Sequence, residues 1–238
     1  MAHSAQQEFI KACLVRFKEI ASKSINILEV GSQDINGGIR GFFPGASSKD
    51  WLGLDVGRGE GVDFCIPGEL IQLPVGWADI SFSSECFEHA RNWKEVFLNM
   101  IRCTRAGGLV VLTFAGLGRA AHGTVDTEEA SSPYTSDYYK NITVEALLSE
   151  LEIPRYFTHF AFEVNSDSCD TYFWGIRNQS VDGSEWLSAE ESLARARGQL
   201  GLVMTANRDL ERQVLISNSP VLFIYNKLRK WRSLKVPQ

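Results

Sequence analysis

The sequence predicts an α/β protein: a Rossmann-like doubly wound sheet, mostly parallel, with an antiparallel C-terminal hairpin and a C-terminal helical appendage. Three observations predict it. Short apolar runs alternate with helix-period segments between Ser24 and Leu151, the rhythm of a parallel sheet covered by helices on both faces. The first run, Ile25, Ile27, Leu28 and Val30, breaks at Gly31 into a polar loop that ends in Gly37-Gly38. Two late runs, Tyr156 to Val164 and Thr171 to Arg177, are joined by Asn165-Ser166-Asp167-Ser168, which makes them a hairpin.

Taken in order, residues 4 to 22 carry Phe9/Ile10, Cys13/Leu14, Phe17 and Ile20/Ala21 at three- and four-residue spacing, a leading helix packed on the sheet. After the first strand a helix is expected from about Asn36 to Phe43, ended by Pro44-Gly45. Asp50 to Gly57 is a second short strand closing on Asp55, and Val62 to Cys65 a third. Asp79 to Ser84 is a fourth, running into Glu85-Cys86-Phe87-Glu88-His89. Asn92 can cap a helix with Trp93, Val96, Phe97, Met100 and Ile101 on one side, stopped by Ala106-Gly107-Gly108. Leu109 to Phe114 is apolar throughout and reads as a central fifth strand. Residues 115 to 141 break the rhythm with glycine and polar residues, including His122, Tyr134, Asp137, Tyr138 and Tyr139, as a lid or binding loop does. Thr143 to Leu151 returns to helix. The domain boundary is placed at residue 180, with 181–238 as the appendage.

Composition narrows the function. The chain has 238 residues, enough for one α/β domain with a sizeable core plus the appendage. A net charge of −5 implies no nucleic-acid partner. Five scattered cysteines without a C-x-x-C pair read as reduced thiols of a cytoplasmic protein, with no disulfide and no zinc site, so no metal is expected. No signal peptide or membrane-spanning run is visible.

The chemistry is carried by the strand ends. In an open α/β sheet, ligands bind beyond the carboxyl ends of the strands. Gly31 lets the backbone turn tightly and approach a ligand. A dinucleotide site wants G-x-G-x-x-G, but Gln33 stands at the second glycine position. The other reading is a loop for S-adenosylmethionine, with Glu29 holding the cationic amino group of the methionine moiety and Asp55 accepting both ribose hydroxyls. The plainer readings are a surface carboxylate for Glu29 and a turn or capping aspartate for Asp55; two acids so spaced at consecutive strand ends favour the ligand.

With Glu29-Val30-Gly31, Asp55, Glu85-Cys86-Phe87-Glu88-His89 and Ala106-Gly107-Gly108-Leu109-Val110, the stretch from Ser24 to Arg177 resembles a class I S-adenosylmethionine-dependent methyltransferase. Gly31-Ser32-Gln33-Asp34-Ile35-Asn36-Gly37 is similar to the first loop of a subset of that family. The resemblance implies S-adenosylmethionine as cofactor, with Glu29, Gly31, Ser32, Asn36, Asp55, Val56, Ile66, Ser84 and Glu85 around it. One departure is visible: Cys65, Ile66 and Pro67 stand where many relatives carry an acid against the adenine amine. Apolar side chains and backbone amides are the expected substitute.

A hydroxyl acceptor benefits from a general base tuned near neutrality. His122, beside Gly123 in the lid segment, is the first candidate, and His89 the second. Their plainer readings are an exposed loop histidine and a residue that shapes the cofactor pocket. Tyr138 and Tyr139 could stack on a sugar or an aromatic acceptor, or merely pack the lid.

In the appendage, Leu193, Ala196, Leu200, Val203, Asn207, Leu210 and Val214 form a short heptad seam, either a helix packed on its own domain or a homodimer seam. Val221, Leu222, Ile224, Tyr225, Leu228 and Trp231 are mixed with Lys227, Arg229, Lys230, Arg232 and Lys235, which suits peripheral contact with the inner face of a membrane or an acidic partner. Such tails are similar to those of surface-polysaccharide enzymes, an analogy that suggests a saccharide or other small-molecule acceptor. The rivals are an NAD(P)-dependent oxidoreductase, against which Gln33 argues, and a non-catalytic cofactor-binding scaffold dimerised through residues 188–216.

Overall fold

The structure, a computed structural model, describes residues 4–35, 37–46 and 49–179. The heptad seam, the basic amphipathic stretch, the appendage as a whole and Asn36 lie outside the described residues.

Seven strands form one sheet: β1 (Asn26–Val30), β2 (Asp50–Asp55), β3 (Phe64–Cys65), β4 (Ala78–Ser84), β5 (Thr104–Ala115), β6 (Phe157–Asn165) and β7 (Asp170–Arg177). Their order is β3-β2-β1-β4-β5-β7-β6. The first five run parallel to one another, and β7 joins β5 and β6 antiparallel. The chain therefore starts in the middle, winds outward to β3, returns to β4 and winds the other way. The reversal between β1 and β4 opens a crevice at the strands' carboxyl ends, where a doubly wound sheet takes its ligand.

Alternation along the strands divides the core. Leu28, Val30, Leu52 and Leu54 point to one face, under α3 (Trp93–Cys103) and α4 (Val144–Glu150). There Phe97 and Met100 are wholly buried against Phe114 and Phe173. Ile27, Trp51, Ile80 and Phe82 point to the other face, covered by α1 (Ser4–Arg16) through Ile10 and Leu14. Truncating a buried phenylalanine such as Phe97 to alanine costs about 3–5 kcal/mol.

Several sequence expectations change. The leading helix is two, because Phe17, with φ −106° and ψ 38°, breaks α1 from α2 (Lys18–Lys23), while its ring packs 4.8 Å from that of Trp174. The helix expected after β1 is one 3-10 turn, Arg40–Phe42. Gly37 has φ 107°, outside helical space, and its amide donates to Asp34 Oδ1 at 2.7 Å. Glycine also costs about 1 kcal/mol against alanine in a helix, so the local side-chain turn wins. Asn92 does not cap α3; its amide donates to Glu69 Oε1 at 2.9 Å. The helix ends at Cys103, four positions ahead of Gly107, and Thr104 already belongs to β5. The hairpin and the helix after Thr143 stand as expected, Thr143 Oγ1 accepting from the Ala146 amide at 3.1 Å. A short helix, α5 (Ile153–Tyr156), leads into β6.

Candidate functional site

A cleft of about 740 Å³ opens at the carboxyl ends of β1, β2 and β4. Its floor is the loop after β1. The Gly31 and Ser32 amides both donate to the Leu54 carbonyl, at 2.8 and 3.0 Å, which folds the loop over the end of β2. Gly31 has φ 75°, and a side chain there would lie 2.5 Å from Cys86 Cβ. Glycine is thus required twice over, for conformation and for space.

Glu29 lines the cleft and is only 8% exposed. Trp51 Nε1 donates to its Oε2 at 2.7 Å and Arg40 Nε at 3.2 Å. Burial pushes its pKa up to about 7 despite these bonds, because desolvation penalises the charged form more than two donors relieve it. Both bonds fall on Oε2, leaving Oε1 for a ligand. Asp55 lines the same cleft. Its Oδ2 accepts from the Gln33 amide and its Oδ1 from the Gly57 amide, both at 3.1 Å. Burial raises this carboxyl as well, while the amides pull it back. The two loops are zipped together by the Asp34 amide on the Glu60 carbonyl at 2.8 Å.

Val56 and Ile66 form an apolar wall beside Asp55. Glu69, read from the sequence only as part of a turn, also reaches the cleft, held by Asn92. No periodicity marks it; only the packing of the Gly68–Leu70 turn on α3 brings it in. Ser32 and Ser84 line the cleft, the latter with its hydroxyl 3.0 Å from that of Thr113. Glu85 lines it too, in a left-handed backbone conformation with φ 52°. Its carboxyl is buried without a hydrogen bond, and desolvation first, then the neighbouring Glu88 carboxyl, raise its pKa well above the usual carboxylate range.

The segment after β5 folds back over the cleft, and residues 131–138 line it. The Tyr134 ring lies flush on Gly57, where any side chain would collide with it. Arg91 clamps the segment, donating to Asp137 Oδ2 at 2.7 Å with its guanidinium 4.7 Å from the Tyr138 ring centre. Of the two tyrosines singled out in the sequence, Tyr138 meets the cleft and Tyr139 does not, while Tyr134 joins it.

The two candidate bases stand together. His89 lines the cleft and His122 stands behind it, the ring centres 5.3 Å apart, with Tyr139 within 5.4 Å of both. Burial lowers His89 to a pKa of about 4 and lowers His122 in the same direction, so the imidazoles are held neutral. Every described residue expected around the cofactor, namely Glu29, Gly31, Ser32, Asp55, Val56, Ile66, Ser84 and Glu85, lines this one cleft.

No protein-family profile and no curated protein sequence matches the chain. Solved structures do. A crystal structure of the CurJ carbon methyltransferase aligns at 14% identity with a TM-score of 0.52, over 72% of this chain and 54% of that one. Phospholethanolamine N-methyltransferase 2 of Haemonchus contortus aligns at 14% identity and TM-score 0.49, over 73% of this chain and 54% of that one. The plantazolicin methyltransferase BpumL aligns at 13% identity and TM-score 0.48, over 72% of this chain and 82% of that one. The chain thus spans about half the length of the CurJ structure. The likeness to the CurJ structure shows the fold alone, a Rossmann-like methyltransferase fold, as the sequence resemblance implied.

Proposed function

We propose that the protein is an S-adenosylmethionine-dependent methyltransferase acting on a hydroxyl of a small molecule or glycan. One observation carries the choice of cofactor. Glu29, Asp34, Asp55, Glu69 and Glu129 line the cleft against one arginine among the described residues, Arg91, which is already paired with Asp137. Such a lining favours a cation and repels a pyrophosphate. A dinucleotide would also want a helix N-terminus at the first loop, and only a three-residue turn follows β1. Both points count against the nicotinamide reading.

The residues present suit the cofactor. Glu29 would take its amino group, Asp55 its ribose hydroxyls, and Val56 with Ile66 one face of its adenine. When bound, the cofactor supplies an electrophilic methyl group on a sulfonium. The chain's own task is to fix two reactants in line and exclude water. Correct orientation is worth roughly 7–11 kcal/mol in favourable cases. The lid serves both ends, with Ser131, Ser132, Tyr134, Thr135, Ser136 and Tyr138 presenting hydroxyls that a polyhydroxyl acceptor could bond. His89 is the proton acceptor: it lines the cleft, and with its proton on the buried Nδ1 the Nε2 lone pair can take the proton the acceptor hydroxyl loses, although burial, which lowers its pKa to about 4, makes it a weaker base than an imidazole poised near neutrality. His122 stands behind it as the second proton site.

The test is transfer of a labelled methyl group from S-adenosylmethionine to a panel of glycans and hydroxylated metabolites, alongside calorimetric titration of S-adenosylhomocysteine and NAD. Binding of the former and transfer to a hydroxyl support the proposal. Binding of NAD in its place would overturn the cofactor, and transfer only to nitrogen or carbon would overturn the acceptor.

A further inference from the structure

Behind the cleft wall, Glu88, His89 and His122 bring one carboxylate oxygen and two imidazole nitrogens to within 4.8 Å of one another. Glu88 is completely buried on the 3-10 turn Phe87–His89. Its oxygens lie near the Ala115 backbone and the Glu85 carboxyl, yet no hydrogen bond of normal geometry reaches either. His89 Nδ1 and His122 Nε2 are likewise buried and unpartnered. His122 Nε2 stands 3.9 Å from Glu88 Oε1. Its Nδ1 is 3.2 Å from the Ala120 carbonyl, which can only accept. That contact assigns the proton to Nδ1 and leaves a lone pair on Nε2, directed at the glutamate. A carbonyl holding the far nitrogen of an imidazole is the usual outer support of a metal ligand.

Among the described residues, no lysine or arginine pairs with Glu85 or Glu88. Two buried carboxyls lie beside two buried imidazole nitrogens that have no hydrogen-bond partner. Such groups are costly to leave unsatisfied. A single cation would satisfy Glu88, His89 and His122 at once.

We infer that Glu88, His89 and His122 form a binding site for a divalent first-row transition ion. One carboxylate and two imidazoles suit zinc, iron, cobalt or nickel, and are a poor set for magnesium or calcium, which take oxygen ligands. Bonds of about 2.0–2.2 Å need donor atoms a little over 3 Å apart, so the set closes by about 1–1.5 Å on loading. His122 can supply that movement, because it stands on the irregular segment after β5 between Gly118 and Gly123, both in left-handed backbone. Its Ala120 contact travels with it. Three protein ligands leave coordination positions open, and His89 belongs to the cleft wall. An ion here would polarise a hydroxyl brought into the cleft, and it would compete with protons for the same two nitrogens. The inference stands whether or not the chain transfers methyl groups.

The experiment titrates chelator-stripped full-length protein with cobalt(II) chloride and reads the visible d–d absorption. The expected result is one ion per chain, a band of imidazole–carboxylate type without thiolate charge transfer, and displacement by zinc. His122→Ala and Glu88→Gln should each weaken binding by more than about 100-fold, beyond the loss seen for outer-sphere partners. Circular dichroism checks that each variant is folded; His122, on the lid, keeps the test open if Glu88→Gln does not fold. No band at one equivalent, a thiolate band, or full binding by folded His122→Ala would overturn the inference.

Discussion

The two halves of the cleft handle buried carboxylates in opposite ways. On the β1–β2 side, Glu29 and Asp55 are each held by two donors, Trp51 and Arg40 for the one and two backbone amides for the other. On the β4–β5 side, Glu85 and Glu88 are buried and hold no hydrogen bond of normal geometry. The first half is a preorganised cradle whose side chains are fixed before a ligand arrives, so little ordering entropy is lost on binding. The second half is unsatisfied and responsive. Burial pushes both its carboxyls up and its histidines down, in each case against the charged form. In the function proposed, recognition falls where the polar groups are paired, and proton chemistry where they are not.

The largest effect should come from the responsive half. His89→Ala is expected to lower turnover by about 100- to 10,000-fold, the range of general acid–base contributions, with S-adenosylhomocysteine affinity essentially unchanged by calorimetry. His122→Ala should lower it less, since His122 does not line the cleft. If both variants lost cofactor affinity instead, the division between the halves would fail.

Asp55→Ala attacks the cradle. Hydrogen bonds to a charged group are worth about 1.5–3 kcal/mol each, so losing the ribose contacts should weaken S-adenosylhomocysteine about 100-fold or more, with the fold intact by circular dichroism. Wild-type affinity would misplace the ribose.

Glu29 sharpens the contrast through pH. Its folded pKa is raised to about 7, so the stability this group contributes is complete below its unfolded value and is lost as pH rises through about 7. A cationic ligand prefers the carboxylate, so binding expels the proton. Affinity should rise by up to about tenfold per unit as pH climbs from about 6 toward 7 and level off above it, with proton release seen by calorimetry in buffers of different ionisation enthalpy. Glu29→Gln should flatten the profile.

The smallest effect is Tyr134→Ala. Its ring covers Gly57 beside the proposed ribose position, and loss of one aromatic contact worth about 1 kcal/mol should speed S-adenosylhomocysteine dissociation about fivefold in stopped flow.

The turn glycine and the strand-end acids were legible from the chain because each is local. A glycine after an apolar run must turn, and an acid closing a strand must sit at its end. The helix after β1 was misread because apolar residues from Ile39 to Phe43 suggest one, while Gly37 and the Asp34 side chain settle the backbone otherwise. Tyr134 and Glu69 escaped for a different reason. Their sequence neighbourhoods read as loop, and only folding against Gly57 and α3 gives them a place. No described helix is long and apolar enough to cross a membrane, in keeping with the sequence.

By itself, then, the sequence determined the winding of the sheet, because hydrophobic period and glycine position act within a few residues. It also determined the acids at the strand tips. What only the tertiary structure decided is the company each group keeps: that Glu29 and Asp55 are bonded, that Glu85 and Glu88 are not, and that two histidines 33 positions apart in the chain (89 and 122) share one buried corner. Partnership and solvation belong to the packed interior, where desolvation sets charge, and no local pattern encodes them.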